Sequence, residues 1–118
     1  MKKKICILDY GLGNIRSLYN SLKKLGYNTD FYSEAKNSIY DILFIPGVGS
    51  FNSAINLLKK KNLISKIEKF NNQKTFIFGI CLGMQILLTK GYENGENDGL
   101  NYINGKIVKF DQKLLTPM

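Results

Sequence analysis

A chain of 118 residues with 44% apolar side chains is large enough for a hydrophobic core and too short for more than one domain. Its net charge of +8 raises the question of nucleic acid, but Arg16 is the only arginine and the lysines are scattered, so a solvated basic surface explains the charge better. No apolar run approaches a membrane span, and histidine, the commonest general base, is absent.

The basic start at residues 1–4 is followed only by Ile5-Cys6-Ile7-Leu8 before Asp9, too short for a signal-peptide core. That run predicts a first buried parallel strand and, with it, a cytoplasmic protein without nucleic-acid or membrane partners. Gly11-Leu12-Gly13 predicts a turn, with Asn14 as the N-cap of a helix carrying Ile15, Leu18, Tyr19, Leu22 and Leu25 and ended by Gly26. Residues 27–32 predict a weaker second strand through Phe31 and Tyr32, and polar residues 33–38 a loop or short helix. Asp41-Ile42-Leu43-Phe44-Ile45 predicts a third strand, stopped by Pro46-Gly47. Phe51, Ala54, Ile55, Leu57 and Leu58 support one helix, and Leu63, Ile64, Ile67 and Phe70 another.

Thr75-Phe76-Ile77-Phe78 predicts a fourth strand, fully buried, followed by a helix beginning with Met84, Ile86, Leu87 and Leu88. From Gly91 the composition shifts to Gly, Asn, Glu and Asp, which predicts an exposed loop. Residues 102–108 predict a hairpin with a type I′ turn at Asn104-Gly105, and residues 109–118 carry no stop signal. Alternating strands and helices make the fold class α/β, an open, mostly parallel sheet flanked by helices that is expected to continue further. Cys6 and Cys81 form neither a disulfide framework nor a metal-ligand spacing, so Cys6 is read as a core residue and no metal or cofactor is expected.

The chemistry concentrates at two strand ends. Gly79-Ile80-Cys81-Leu82-Gly83 has the G-x-nucleophile-x-G form of a nucleophile elbow between a strand and a helix. Gly79 and Gly83 are expected because the turn is sharp, and a helix N-terminus after Cys81 would favour its thiolate. Pro46-Gly47-Val48-Gly49-Ser50-Phe51 lies at another carboxyl strand end, where open α/β sheets bind ligands, and its N–H groups with that of Leu82 could form an oxyanion hole. Gly11-Leu12-Gly13 suggests a dinucleotide fingerprint, but Arg16 occupies the place of the third glycine. The implied reaction is attack of Cys81 on a carbonyl carbon to give a thioester.

Asp9-Tyr10-Gly11-Leu12-Gly13-Asn14, the Pro46 loop and Gly79-Ile80-Cys81-Leu82-Gly83-Met84-Gln85 together resemble the class I glutamine amidotransferases. More narrowly they resemble the glutaminase subunit of imidazole glycerol phosphate synthase, in histidine biosynthesis. The resemblance runs in order along essentially the whole chain and implies a flavodoxin-like topology. It implies Cys81 as the nucleophile that takes the side-chain amide of L-glutamine and releases ammonia. The backbone of Val48, Gly49 and Leu82 would be the oxyanion region, and Gln85 and Glu93 would hold the substrate. The implied partner is a β/α-barrel cyclase subunit, through which ammonia reaches a nucleotide-derived ribulose intermediate.

The pattern also breaks. The family's general base is a histidine oriented by a glutamate two residues later, near the end of a longer domain, and this chain has no histidine. Departing ammonia needs a proton donor, and neither Glu93 nor Asp98 is a convincing substitute. Residues 1–118 are therefore expected to be the N-terminal portion of a single class I domain, incomplete at its C-terminus and without useful glutaminase activity alone. Thr116-Pro117-Met118 stands where the family usually has Pro-His-Met. Gly91-Tyr92-Glu93 departs from the Ser-Glu-Glu common in the histidine-pathway subunit and resembles paralogous subunits that supply ammonia to amidate surface sugars. That is the second reading; a non-catalytic remnant is the third.

Overall fold

The computed structural model describes residues 3–35 and 39–108. The first apolar run forms β1 (Lys4–Ile7), which pairs in parallel with β2 (Asn28–Phe31) and with β3 (Ile42–Ile45). A fourth strand, β4 (Phe76–Gly79), pairs in parallel with β3, giving the order β2-β1-β3-β4. Parallel neighbours require crossovers. The chain supplies them as α1 (Ile15–Lys24) between β1 and β2, and as α2 (Phe51–Lys60) and α3 (Ile64–Asn72) between β3 and β4.

Alternation along the strands divides the core between two faces. Ile5, Ile7 and Phe31 pack with Leu22, Leu18 and Tyr19 of α1. On the opposite face Cys6, Leu8, Leu43 and Ile45 pack with Ala54, Ile55 and Leu58 of α2 and with Ile67 and Phe70 of α3. The result is the expected α/β architecture, a parallel sheet flanked by helices. Local signals set the helix ends. Gly26, at φ +90°, donates to the Lys23 carbonyl at 2.9 Å while Tyr27 donates to Leu22 at 3.1 Å, a Schellman closure of α1. Ser50 caps α2 by accepting the Ser53 N–H at 3.3 Å. Asn14 stands at the N-cap position of α1 without a side-chain cap bond.

Several expectations are corrected. β4 is not fully buried: it is the sheet's edge among the described residues, with Phe76 64% and Phe78 47% exposed, while Ile77 packs toward the α2–α3 side. Ile42 and Phe44 of β3 pack against the edge of the cluster under α1. The helix expected after Cys81 is a single turn, α4 (Leu82–Gln85). Ile86 and Leu87 turn into the core instead, and Leu88 begins β5 (Leu88–Gly91).

The expected loop from Gly91 contains β6 (Asn97–Asp98), antiparallel to β5, and Lys90 bridges Glu96 and Asp98 at 2.6 and 3.0 Å. The expected hairpin is absent. β7 (Ile103–Ile107) continues through Asn104-Gly105 with a shift of register there, parallel to β5, and completes a second sheet of order β6-β5-β7. Pairing with β5 outweighs the local turn preference: the Gly105 N–H donates to the Thr89 hydroxyl at 3.2 Å, which itself donates to Asn101 Oδ1 at 2.9 Å. The expected sheet continuation, residues 36–38 of the polar segment and Thr116-Pro117-Met118 lie outside the described residues. No described helix is long and apolar enough to cross a membrane.

Cys6 is wholly enclosed at the centre of the sheet, as expected of a core residue. Burial, with smaller contributions from Asp30 and Asp9, pushes its thiol from 9.0 to about 12. A group whose folded pKa is raised contributes stability that is complete below its unfolded pKa and is lost as pH rises toward the folded one. Urea titrations across pH should therefore show Cys6→Ala costing about 1 kcal/mol at pH 7. The decline in stability between pH 9 and about 12 should be shallower in the variant than in the parent.

Candidate functional site

β3 and β4 end side by side, with Ile45 opposite Gly79, and the Ile80 N–H donates to the Ile45 carbonyl at 3.0 Å. The next residue, Cys81, adopts φ +56° and ψ −119°, a conformation that costs a residue with a Cβ about 1–3 kcal/mol. Its side chain is exposed, in contrast to Cys6. The flanking glycines are there for backbone clearance. A Cβ on Gly79 would lie 2.5 Å from the Met84 Cα, and one on Gly83 only 1.7 Å from the Ile45 oxygen. Both glycines thus have a steric cause in this structure.

The loop leaving β3 presses against this turn. Gly47 is wedged so tightly that a Cβ would lie 2.6 Å from the Tyr10 hydroxyl, 3.1 Å from the Leu82 Cβ and 3.2 Å from the Gly83 nitrogen. Val48 is exposed, and Gly49 is held at φ +111°, where the need for glycine is conformational and not steric. The Leu82 N–H, expected to face an oxyanion, donates to the Gly47 carbonyl at 3.3 Å. The N–H groups of Gly83 and Met84 donate to Ile80 and Cys81 at 2.9 and 3.0 Å. It is Gly47 that lies against Leu82, with Val48 and Gly49 following it in the loop, and the first N–H groups of α4 are all taken by protein carbonyls. With α4 only one turn long, the helix dipole expected behind Cys81 is short as well.

Gln85 closes that same turn, half-buried, with its N–H on the Cys81 carbonyl at 3.2 Å. Glu93 comes from the far sheet. Gly91 lets β5 lie against the Phe51 ring, where a Cβ would meet ring carbons at 2.6 Å. Two residues later, Glu93 Oε1 accepts the Phe51 N–H at 3.4 Å, at the end of the Pro46 loop.

The sequence gives Tyr10 no role of its own and reads Gly13 only as part of a turn. Tyr10 is buried and donates its hydroxyl to the Pro46 carbonyl at 2.7 Å. Gly13, at φ +109°, would place a Cβ 3.1 Å from both the Gly47 nitrogen and the Pro46 Cβ. The glycine turn after β1 is therefore a platform for the neighbouring loop. The signal was present only as part of the motif at residues 9–14. Among the described residues no group of three or more His, Cys, Asp or Glu side chains could hold a metal. What remains is an exposed thiol on a strained turn beside a glycine loop, an arrangement suited to acyl transfer.

The sequence matches the class-I glutamine amidotransferase family over residues 6–111. It is 42% identical over 108 residues to the imidazole glycerol phosphate synthase subunit HisH of Sulfurimonas denitrificans, covering 91% of this chain and 52% of that protein. The subunit HisH of Carboxydothermus hydrogenoformans is 38% identical over 90% of this chain and 54% of its own length. The subunit HisH 1 of Campylobacter jejuni is 40% identical over 93% and 56%. The chain spans about half the length of the curated relatives it matches.

Strain at Cys81 is directly measurable. Cys81→Gly should be more stable than Cys81→Ala by about 1–2 kcal/mol in urea denaturation, because only glycine relaxes the positive φ. Gly83→Ala should cost more than about 3 kcal/mol, since the added methyl group meets an immobile carbonyl.

Proposed function

The chain belongs to the class-I glutamine amidotransferase family, and on that premise we propose that Cys81 is the nucleophile of a glutaminase supplying ammonia for imidazole glycerol phosphate synthesis. One observation carries the assignment: Cys81 is a residue with a Cβ held at φ +56° with its side chain exposed, between two glycines that tolerate no Cβ. Strain of this kind is retained where it aims a reacting atom.

In the proposed reaction Cys81 Sγ attacks the side-chain amide carbon of glutamine. A C–S bond forms, and the carbonyl π electrons move onto oxygen. Collapse of this adduct expels ammonia, which takes up a proton as it leaves, and water then cleaves the thioester to glutamate. The N–H groups of Val48, Gly49 and Leu82 receive the oxyanion, where one such donor is worth about 10²–10³ in rate. For the Leu82 N–H to serve, the Gly47 carbonyl must release it, so the Gly47-Val48 peptide turns during the cycle. Gln85, on the Cys81 turn, and Glu93, at the end of the Pro46 loop, hold the substrate.

The leaving ammonia finds no histidine in this sequence to protonate it. Residues 1–118 are accordingly proposed to form the N-terminal portion of one domain whose remainder supplies the proton donor. The length of the relatives supports this, and the chain alone releases no useful ammonia. The acceptor is a cytoplasmic β/α-barrel cyclase subunit.

The test uses the chain assembled with a histidine-bearing remainder and the cyclase. Cys81→Ser should lower glutamine-dependent synthesis by at least about 10³-fold while ammonia-dependent synthesis survives. Equal loss of both activities would overturn the division of labour. Delivery of ammonia to an ATP-using sugar amidotransferase, and not to the cyclase, would move the protein to the paralogous reading.

A further inference from the structure

Tyr10 is wholly enclosed and yet carries a polar tip. Its hydroxyl donates to the Pro46 carbonyl at 2.7 Å. Burial pushes the phenol up to about 12, so the group remains a donor through the ordinary pH range. The next carbonyl along the chain, that of Gly47, accepts the Leu82 N–H at 3.3 Å. Two consecutive carbonyls of one loop are thus held, the first by Tyr10 and the second by the elbow. Between them Gly47 has no spare room, because a Cβ there would lie 2.6 Å from the Tyr10 hydroxyl. Beyond them Val48 is exposed, and Gly49 would meet nothing within 4 Å of an added Cβ. The grip on the loop is concentrated at Pro46 and Gly47.

We infer that Tyr10 is a positioning residue: its hydroxyl latches the Pro46-Gly47 backbone in the arrangement that occupies the Leu82 N–H, and so sets how often that N–H is free. The consequence for catalysis rests on the glutaminase reading, whereas the latch rests on the hydrogen bonds alone. Loss of one buried bond of this kind shifts a two-state equilibrium by about fivefold.

Residue-resolved amide hydrogen exchange on the chain tests the latch without glutamine, so failure of a glutaminase assay leaves its outcome untouched. In Tyr10→Phe the Leu82 amide should exchange about fivefold faster, while the Cys6 and Leu43 amides of the central strands keep their parental rates. An unchanged Leu82 rate in the folded variant overturns the latch. Equal acceleration at all three amides also overturns it, because Tyr10 would then serve only core stability.

Discussion

The carboxyl end of the sheet depends on one contact, the backbone of Gly83 lying against the carbonyl of Ile45. A Cβ there would approach the oxygen to 1.7 Å, so no other residue lets α4 sit so low on β3. Because it does, the turn after β4 and the loop after β3 share one space, and Leu82 comes within reach of Gly47. The approach is steered from both sides. The β3–β4 register sets Ile45 opposite Gly79, and Leu82, Ile86 and Leu87 anchor the turn in the core below. Burial of each such side chain contributes about 1.5–3 kcal/mol, enough to offset the strain at Cys81.

Much of this was legible in the chain. β1, β3 and α1 to α3 follow from apolar spacing, and Gly26 and Ser50 end and start helices by local chemistry. The turn at Gly79 and Cys81 was legible because its sterics are local, whereas Gly83 was legible only as part of the glycine spacing, the carbonyl that it clears being that of distant Ile45. The failures share a cause, which is that the deciding partner is distant in sequence. An apolar run reads the same in a central strand and at an edge, and only the absent cover distinguishes Phe76 and Phe78. Asn104-Gly105 has a turn's composition, yet it sits within β7 at a shift of register, between Ile103 paired to Leu88 and Lys106 paired to Lys90. Glu93 meets the Phe51 N–H across 42 residues, and Tyr10 meets Pro46 across 36, so neither partner is visible in a local pattern.

The glycine turn after β1 shows how one local shape takes a different role from its surroundings. With a third glycine and an open approach it would suit a pyrophosphate. Here Gly13 packs on Pro46 and Gly47, and Asp9 accepts hydrogen bonds from both the N–H and the hydroxyl of Ser33. The turn therefore braces neighbouring strand-end loops on either side. A strained thiol turn needs such bracing, because mobility of a few tenths of an ångström there would disperse the alignment that the strain maintains.

The flank of β4 exposed among the described residues has a physical consequence. Among the described residues Phe76 and Phe78 stand exposed on an edge strand, with Phe78 tilted against both Phe76 and Phe44, and edge strands of this kind invite pairing between molecules. The charge of +8 opposes such encounters by mutual repulsion. That repulsion extends roughly 30 Å at 0.01 M ionic strength but only about 8 Å at 0.15 M. The colloidal behaviour of the chain is thus a contest between a short-range aromatic attraction that salt leaves intact and a long-range electrostatic barrier that salt removes.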